Sequence, residues 1–328
     1  MKKLLLALAG CCMGTLCFAQ MMPDSTVQVC AYWDKGDVMV YDFKESRIQT
    51  VDGVTIDNKS ATEKHVFEIT DITKNSYTVK FSFEDVINTP VLTGAANETA
   101  ERITEHVWFE TRTDELGTVQ EITNEEATFA DYRAMFPVMT DRVLSKYTAQ
   151  ELQEEGVTRD DLIRMFTSGL CTEAFLQKLC EKNVVPLLRY HGARFEMNKE
   201  YTVRQDLVDV LNNGTVEVNW KFWIDASECS EEFVIIHSYA EADKEALTPV
   251  LRDIMLTADS TLSDEDVADI IAGMDATLED YSSIAIHLGS GWPVEWYNKR
   301  ITTLEEDGSA TVITEERELE ISDDYRNQ

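Results

Sequence analysis

Apolar and polar side chains alternate with a strict period of two at two places in this chain. Each stretch is thereby committed to a β-strand with one buried and one wet face. Tyr77, Val79, Phe81 and Phe83 alternate with Thr78, Lys80, Ser82 and Glu84. Val216, Val218, Trp220, Phe222 and Ile224 alternate with Thr215, Glu217, Asn219 and Lys221. An earlier strand and a polar turn precede each run: Val66 to Thr73 with Lys74-Asn75-Ser76, and Thr202 to Leu211 with Asn212-Asn213-Gly214. Asp71 and Asn75 then match Asp209 and Asn213. Upstream, Trp33-Asp34-Lys35-Gly36 leads into Met39, Tyr41 and Phe43, as Phe195 to Lys199 leads into Tyr201 and Val203. Downstream, Trp108-Phe109 begins a hairpin turning at Asp114-Glu115-Leu116-Gly117, and Trp296-Tyr297 one turning at Glu306-Asp307-Gly308-Ser309. An Asp-Gly pair between alternating runs is a strong hairpin signal. The retained order predicts an internal duplication.

Helix signals lie between and within the strand-rich parts. Thr148 with Glu151, Thr158 with Asp161 and Ser263 with Asp266 each have capping-box spacing, flanked by apolar residues placed as a hydrophobic staple. The last opens a predicted helix whose Val267, Ile270, Ile271, Met274, Leu278 and Tyr281 fall on one stripe. The expected fold class is α+β: two similar lobes of antiparallel β-sheet, each covered by helices, over residues 20–190 and 191–328.

Lys2 and Lys3, the apolar stretch Leu4 to Leu16, and Cys17-Phe18-Ala19 before Gln20 have the order of a secretory signal, so residues 1–19 are expected to be removed. Leu8-Ala9-Gly10-Cys11 offers the alternative of a lipoprotein anchored at Cys11. A membrane-spanning helix needs about 20 apolar residues, and none is predicted. The expected location is the periplasm or beyond. Losing Lys2 and Lys3 takes the formal charge from −32 to −34, which excludes nucleic acid and anionic membranes as partners held by charge attraction. Cys30, Cys171, Cys180 and Cys229 remain after the leader. Four cysteines in an exported chain allow three connectivities. Cys171 with Cys180 and Cys30 with Cys229 is the pairing expected, with buried thiols as the alternative.

The usual marks of catalysis are missing from the sequence. His65, His106, His191, His237 and His287 form no HExxH or HxH, and there is no CxxC, GxSxG or glycine-rich phosphate loop. No cofactor and no metal are expected. Aromatic residues crowd the two central strands instead, making Phe81, Phe83, Trp220 and Phe222 the candidates for lining an apolar ligand site. Trp223 falls on the polar face beside Lys221 and is the candidate for a surface contact. The expectation is a non-enzymatic exported binding protein, a carrier or sensor for a lipid-like or other apolar ligand. A cell-envelope structural or interaction module is the alternative. An enzyme of unrecognised type would need buried carboxylates or histidines converging in a cleft, and the junction from Pro186 to Gly192 is the place for one.

The leader ending Phe18-Ala19-Gln20, the opening Lys35-Gly36-Asp37 with Tyr41, and Gly291-Trp292-Pro293 before the last hairpin resemble uncharacterised secreted proteins of Gram-negative gut anaerobes. A curved antiparallel sheet covered by helices also resembles the half-barrel of periplasmic lipoprotein and lipid carriers. That second resemblance implies an apolar ligand between sheet and helices, and transfers no site residue.

Overall fold

Turn chemistry sets the registers on which the fold is built. Asp52-Gly53 and Asp307-Gly308 have φ of 50°, 77°, 51° and 83°, the consecutive positive values that a two-residue type I′ hairpin requires. The two turns lie side by side, because Asp52 Oδ1 accepts from the Ala310 amide at 2.9 Å and the Asp52 amide donates to the Ala310 carbonyl at 2.9 Å. At the Asp114 turn, one carboxylate oxygen accepts from the amides of Leu116 and Thr118, both at 2.9 Å.

The computed structural model describes residues 25–89, 107–145, 158–211, 214–259 and 261–323. The expected signal segment, Cys11 and the Thr148–Glu151 box lie outside them. The first part of the chain forms β1 (Thr26–Gln28), β2 (Val38–Val51), β3 (Val54–Thr73), β4 (Ser76–Thr89), β5 (Trp108–Asp114) and β6 (Val119–Thr123). Helices α1 (Glu125–Leu144), α2 (Arg159–Leu170), α3 (Glu173–Asn183) and α4 (Val185–Leu188) follow. The remainder is β7 (Arg194–Glu196), β8 (Tyr201–Val210), β9 (Gly214–Trp223), β10 (Phe233–Ala242), α5 (Lys244–Ala258), α6 (Asp264–Gly273), β11 (Met274–His287), β12 (Pro293–Glu306) and β13 (Ser309–Ile321).

The two-lobe α+β expectation is overturned. Antiparallel pairing runs unbroken through one 11-stranded sheet, in the order β6-β5-β4-β3-β2-β13-β12-β11-β10-β9-β8, with a small β1–β7 ribbon beside it. The halves meet where β13 pairs with β2, from Thr311 opposite Val51 to Ile321 opposite Tyr41. Alternation reports which face of a strand is buried, but not which strand lies next to it. The helices are not divided between halves either. α1 packs on β5, α4 on β12, and α3 touches both β6 and β8, the two edges of the sheet. The sheet therefore curls, with α3 bridging its edges.

A second correction concerns the stripe from Val267 to Tyr281. Both capping boxes at Thr158 and Ser263 form, but α6 ends at Gly273, and Met274, Leu278 and Tyr281 belong to β11. Met274 and Leu278 are four residues apart, a spacing that places two side chains on one face of a helix or of a strand alike.

One face of the sheet carries the core. At one end of the strands, Tyr41, Phe67, Phe81, Phe109, Ile236, Ile284 and Leu319 pack with Tyr132 and Phe136 of α1 and Leu176 of α3. At the other, Val216, Val218, Ala240 and Leu278 pack under Leu247 and Val250 of α5 and Val267 of α6. The first cluster is pinned by the segment around Gly291. Trp33 stacks on Trp292 at 4.5 Å, and His191 Nε2 donates to the Gly291 carbonyl at 2.8 Å. Gly291 has φ of +78°, and a Cβ there would lie 2.2 Å from the Cys30 carbonyl oxygen. Gly308 has φ of +83° but open space around it. Gly308→Ala is expected to cost about 1 kcal/mol, the left-handed strain alone. Gly291→Ala adds a backbone clash and is expected to cost about 3 kcal/mol or more; chemical denaturation of the two variants measures the difference.

Candidate functional site

Between the two apolar clusters the same face of the sheet turns polar. On β11 the inward sequence runs Ala276, Leu278, then Asp280 and Ser282, then Ile284 and Ile286. On β12 it runs Trp296, then Asn298, Arg300 and Thr302. Register aligns these interruptions into a belt. Asp280 lies opposite Arg300, Arg300 opposite Glu315, and Glu315 opposite Arg47, so charge alternates across four strands. The next row reads Ser238, Ser282, Asn298, Arg317 and Glu45. Opposite charges facing each other across strands stabilise the pairing, whereas like charges would oppose it.

Burial makes complete hydrogen bonding necessary here. Asp280 and Arg300 are 2% and 4% exposed. Arg300 Nε donates to Asp280 Oδ2 at 2.8 Å, and Asn298 Nδ2 donates to Asp280 Oδ1 at 3.0 Å. Arg300 Nη1 donates to the Val208 carbonyl at 3.2 Å, beside a register shift in β8 between Leu207 and Val210. The curl has thus carried the edge strand β8 over the inner face of β12. Ser238 and Ser282 share a hydroxyl hydrogen bond of 2.7 Å. Glu45 Oε1 accepts from Arg317 Nε at 2.8 Å, and Lys182 of α3 lies 3.2 Å from the same oxygen.

A cavity of about 50 Å³ lies on the belt, walled by Arg189, Trp220, Asp280, Asn298, Arg300 and Arg317 among others. A groove of about 240 Å³ adjoins it between α3 and the strands β8 and β9, lined by Phe175, Lys178, Leu179, Val208 and Thr215. Glu181, Lys182 and Val208 border both spaces. Arg189 follows α4, and its guanidinium carbon lies 4.1 Å from the centre of the Trp220 ring. Burial pulls the Arg189 guanidinium below its ordinary value, while Tyr190 and Asp280 act in the opposite direction. The arrangement is suited to holding a molecule with one apolar and one polar part. Among the described residues, no group of three or more His, Cys, Asp or Glu is placed to hold a metal ion.

The aromatic residues singled out from sequence are dispersed. Phe81 and Phe83 pack in the core with ring centres 4.8 Å apart, and neither lines the cavity or groove. Trp220 lines the cavity. Phe222 stacks on Tyr201 at 5.4 Å and meets Phe195 edge-on. Trp223 is half-buried and stacks on His237 at 5.5 Å, with His237 Nδ1 2.9 Å from the Tyr281 hydroxyl. Cys30, Cys171, Cys180 and Cys229, expected as Cys171–Cys180 and Cys30–Cys229, stand as thiols. Burial pushes the Cys180 thiol up to about 12. Arg189 falls inside the Pro186–Gly192 junction, but the belt residues of β11, β12, β13 and β2 were missed. The available signal was Asn298, Arg300 and Thr302 in phase with Trp296, polar residues on the face that a neighbouring aromatic marks as inward.

No family model matches the chain, and no curated protein sequence does. Among solved structures, a lipovitellin structure concerned with lipid–protein interactions aligns with a TM-score of 0.38 and 11% identity, over 88% of this chain and 25% of that one. The chain thus spans about a quarter of the lipovitellin chain. The attachment invasion locus protein Ail of Yersinia pestis, in complex with the heparin analogue sucrose octasulfate, aligns with a TM-score of 0.15 and 4% identity, over 87% of this chain and 97% of that one. An outer membrane channel from Pseudomonas putida F1 gives a TM-score of 0.19 and 5% identity, over 89% and 97% of the two chains. Values this low transfer neither ligand nor site. No helix among the described residues is long and apolar enough to cross a membrane.

Glu45 supplies a pH signature of the belt. Burial alone would raise its carboxyl, but the charges of Lys182 and Arg317 and their hydrogen bonds outweigh this and bring it from 4.5 down to about 2. A depressed folded value means the contribution is complete above pH 4.5 and is lost as pH falls through about 2. Over that window the wild type is expected to lose on the order of 3 kcal/mol more stability than Glu45→Gln, measured by urea titrations at successive pH values.

Proposed function

We propose that this protein is a non-enzymatic binding protein, a carrier or sensor whose ligand is an apolar or amphiphilic small molecule held in the groove between α3 and β8. One observation carries this: a groove of about 240 Å³ with Phe175, Leu179 and Val208 on its wall shares lining residues with a smaller pocket of about 50 Å³ walled mainly by polar and charged side chains. Ligand sites combine mostly apolar walls with a few placed polar groups, and the two compartments divide those tasks. α3 is well placed to admit a ligand. It bridges the two edges of the sheet, and among the described residues those edges are not hydrogen-bonded to each other. An exported location belongs to the same proposal; partnership with an envelope protein belongs to the alternative, a cell-envelope interaction module.

Thr215 lines the groove and is exposed, so a large side chain fits there without disturbing the core. Thr215→Trp is expected to weaken binding of the neutral apolar dye Nile red about tenfold while leaving the melting temperature unchanged. Equal dye binding by both proteins would move the ligand site away from this groove. Mass spectrometry of an organic extract of the protein purified from its own host then identifies the bound molecule.

A further inference from the structure

The walls of the pocket and the groove carry their charges in balance. Arg300 is matched by Asp280, and Arg317 and Lys182 are both matched by Glu45. Arg189 lies against the Trp220 ring in the field of Asp280, with its Nε shut off from solvent. Two further carboxylates, Glu181 and Asp206, stand on the same wall. Lys178 is the remaining cation on the groove, and it is exposed to water, which screens it. No charge of either sign is therefore left over for a ligand to neutralise. An anion entering from the groove would face Glu181, Asp206 and Asp280, and a cation would face Lys182 and Arg300. Either would give up hydration without meeting an uncommitted counter-ion, and a charge desolvated in that way is costly.

Hydrogen bonding is available where the two spaces meet. Glu181 and Lys182 border both of them, and both side chains are only half-buried. Lys182 Nζ lies 3.2 and 3.3 Å from the two Glu45 oxygens, and an ammonium has a third N–H beyond those two contacts. Gln177 Nε2 donates to one Glu181 oxygen at 3.2 Å, and a carboxylate accepts several such bonds. The junction thus presents a donor beside an acceptor, a pairing that a hydroxyl group satisfies from both sides. The groove beyond it, past Phe175, Leu179 and Val208, has about 240 Å³, room for about eight water-sized groups. We infer that the ligand is an uncharged amphiphile: a hydroxyl-bearing head sits between Lys182 and Glu181, and an alkyl tail of medium length lies in the α3–β8 groove. This deepens the reading above and rests on the groove being the ligand site.

Displacement of Nile red from the delipidated full chain by 1-octanoylglycerol, octanoate and octylamine separates head from tail. The three share an eight-carbon chain and are uncharged, anionic and cationic at neutral pH. The glycerol ester is expected to displace the dye at a concentration about tenfold lower than either ion. Glu181→Gln removes one carboxylate charge and keeps the shape of the side chain. Relative to the ester, it is expected to improve octanoate about threefold and to weaken octylamine by a similar factor. Either ion binding as tightly as the ester, or ratios that Glu181→Gln leaves unmoved, overturns the uncharged-head site and leaves the groove standing. Displacement by none of the three overturns both.

Discussion

Pairing of the last strand with the first long one holds this molecule together. Eleven registered residue pairs, from Thr311 opposite Val51 to Ile321 opposite Tyr41, join β13 to β2 and make one sheet from two runs of sequentially adjacent antiparallel strands. Because this contact closes most of the chain length into a loop, it carries a large entropic cost that only burial and cooperative hydrogen bonding can offset. Its consequences reach the inner face directly. The charge rows from Asp280 to Arg47 and from Ser282 to Glu45 cross the sheet only because β13 lies against β2 in this register. A slip of one residue would turn Arg317 and Leu319 outward together.

The belt is an expensive way to fill the middle of a sheet. Buried ion pairs often do no better than apolar residues of the same volume, and breaking one by removing a partner costs roughly 3 to 5 kcal/mol. Asp280, Arg300, Asn298, Arg317 and Glu45 are nevertheless matched, oxygen to nitrogen. Against that background the Arg189–Trp220 pair stands apart, since Arg189 Nε and Trp220 Nε1 have no hydrogen-bond partner among the described residues. An apolar core on both sides keeps the local dielectric low, so hydrogen bonds made there are stronger than the same bonds in water.

The sequence disclosed local structure well. Alternation located β4 and β9, capping boxes began α2 and α6, and the Asp114 and Asp307 turns closed their hairpins. Long-range pairing was not legible, because the alternation of β13 is the same whichever strand lies beside it. Met274 and Leu278 satisfied helix and strand spacing together, which carried the expected helix into β11. The belt was hidden for a related reason: Asn298 and Arg300 on a strand suggest a wet face, and only their phase with Trp296 shows them pointing inward. Trp220 was singled out as an aromatic ring, whereas its unpartnered N–H and its contact with Arg189 depend on a junction folded over from another part of the chain.

Hydrogen exchange read by mass spectrometry on peptides covering residues 38–51 and 309–321 tests the continuous sheet most directly. With β2 and β13 paired at its centre, their amides are expected to exchange only through global unfolding, with opening free energies equal to the stability from denaturation. Exchange as fast as that of the edge strands β6 and β8 would mean that the two halves are separate sheets, and would contradict the single fold on which the belt depends.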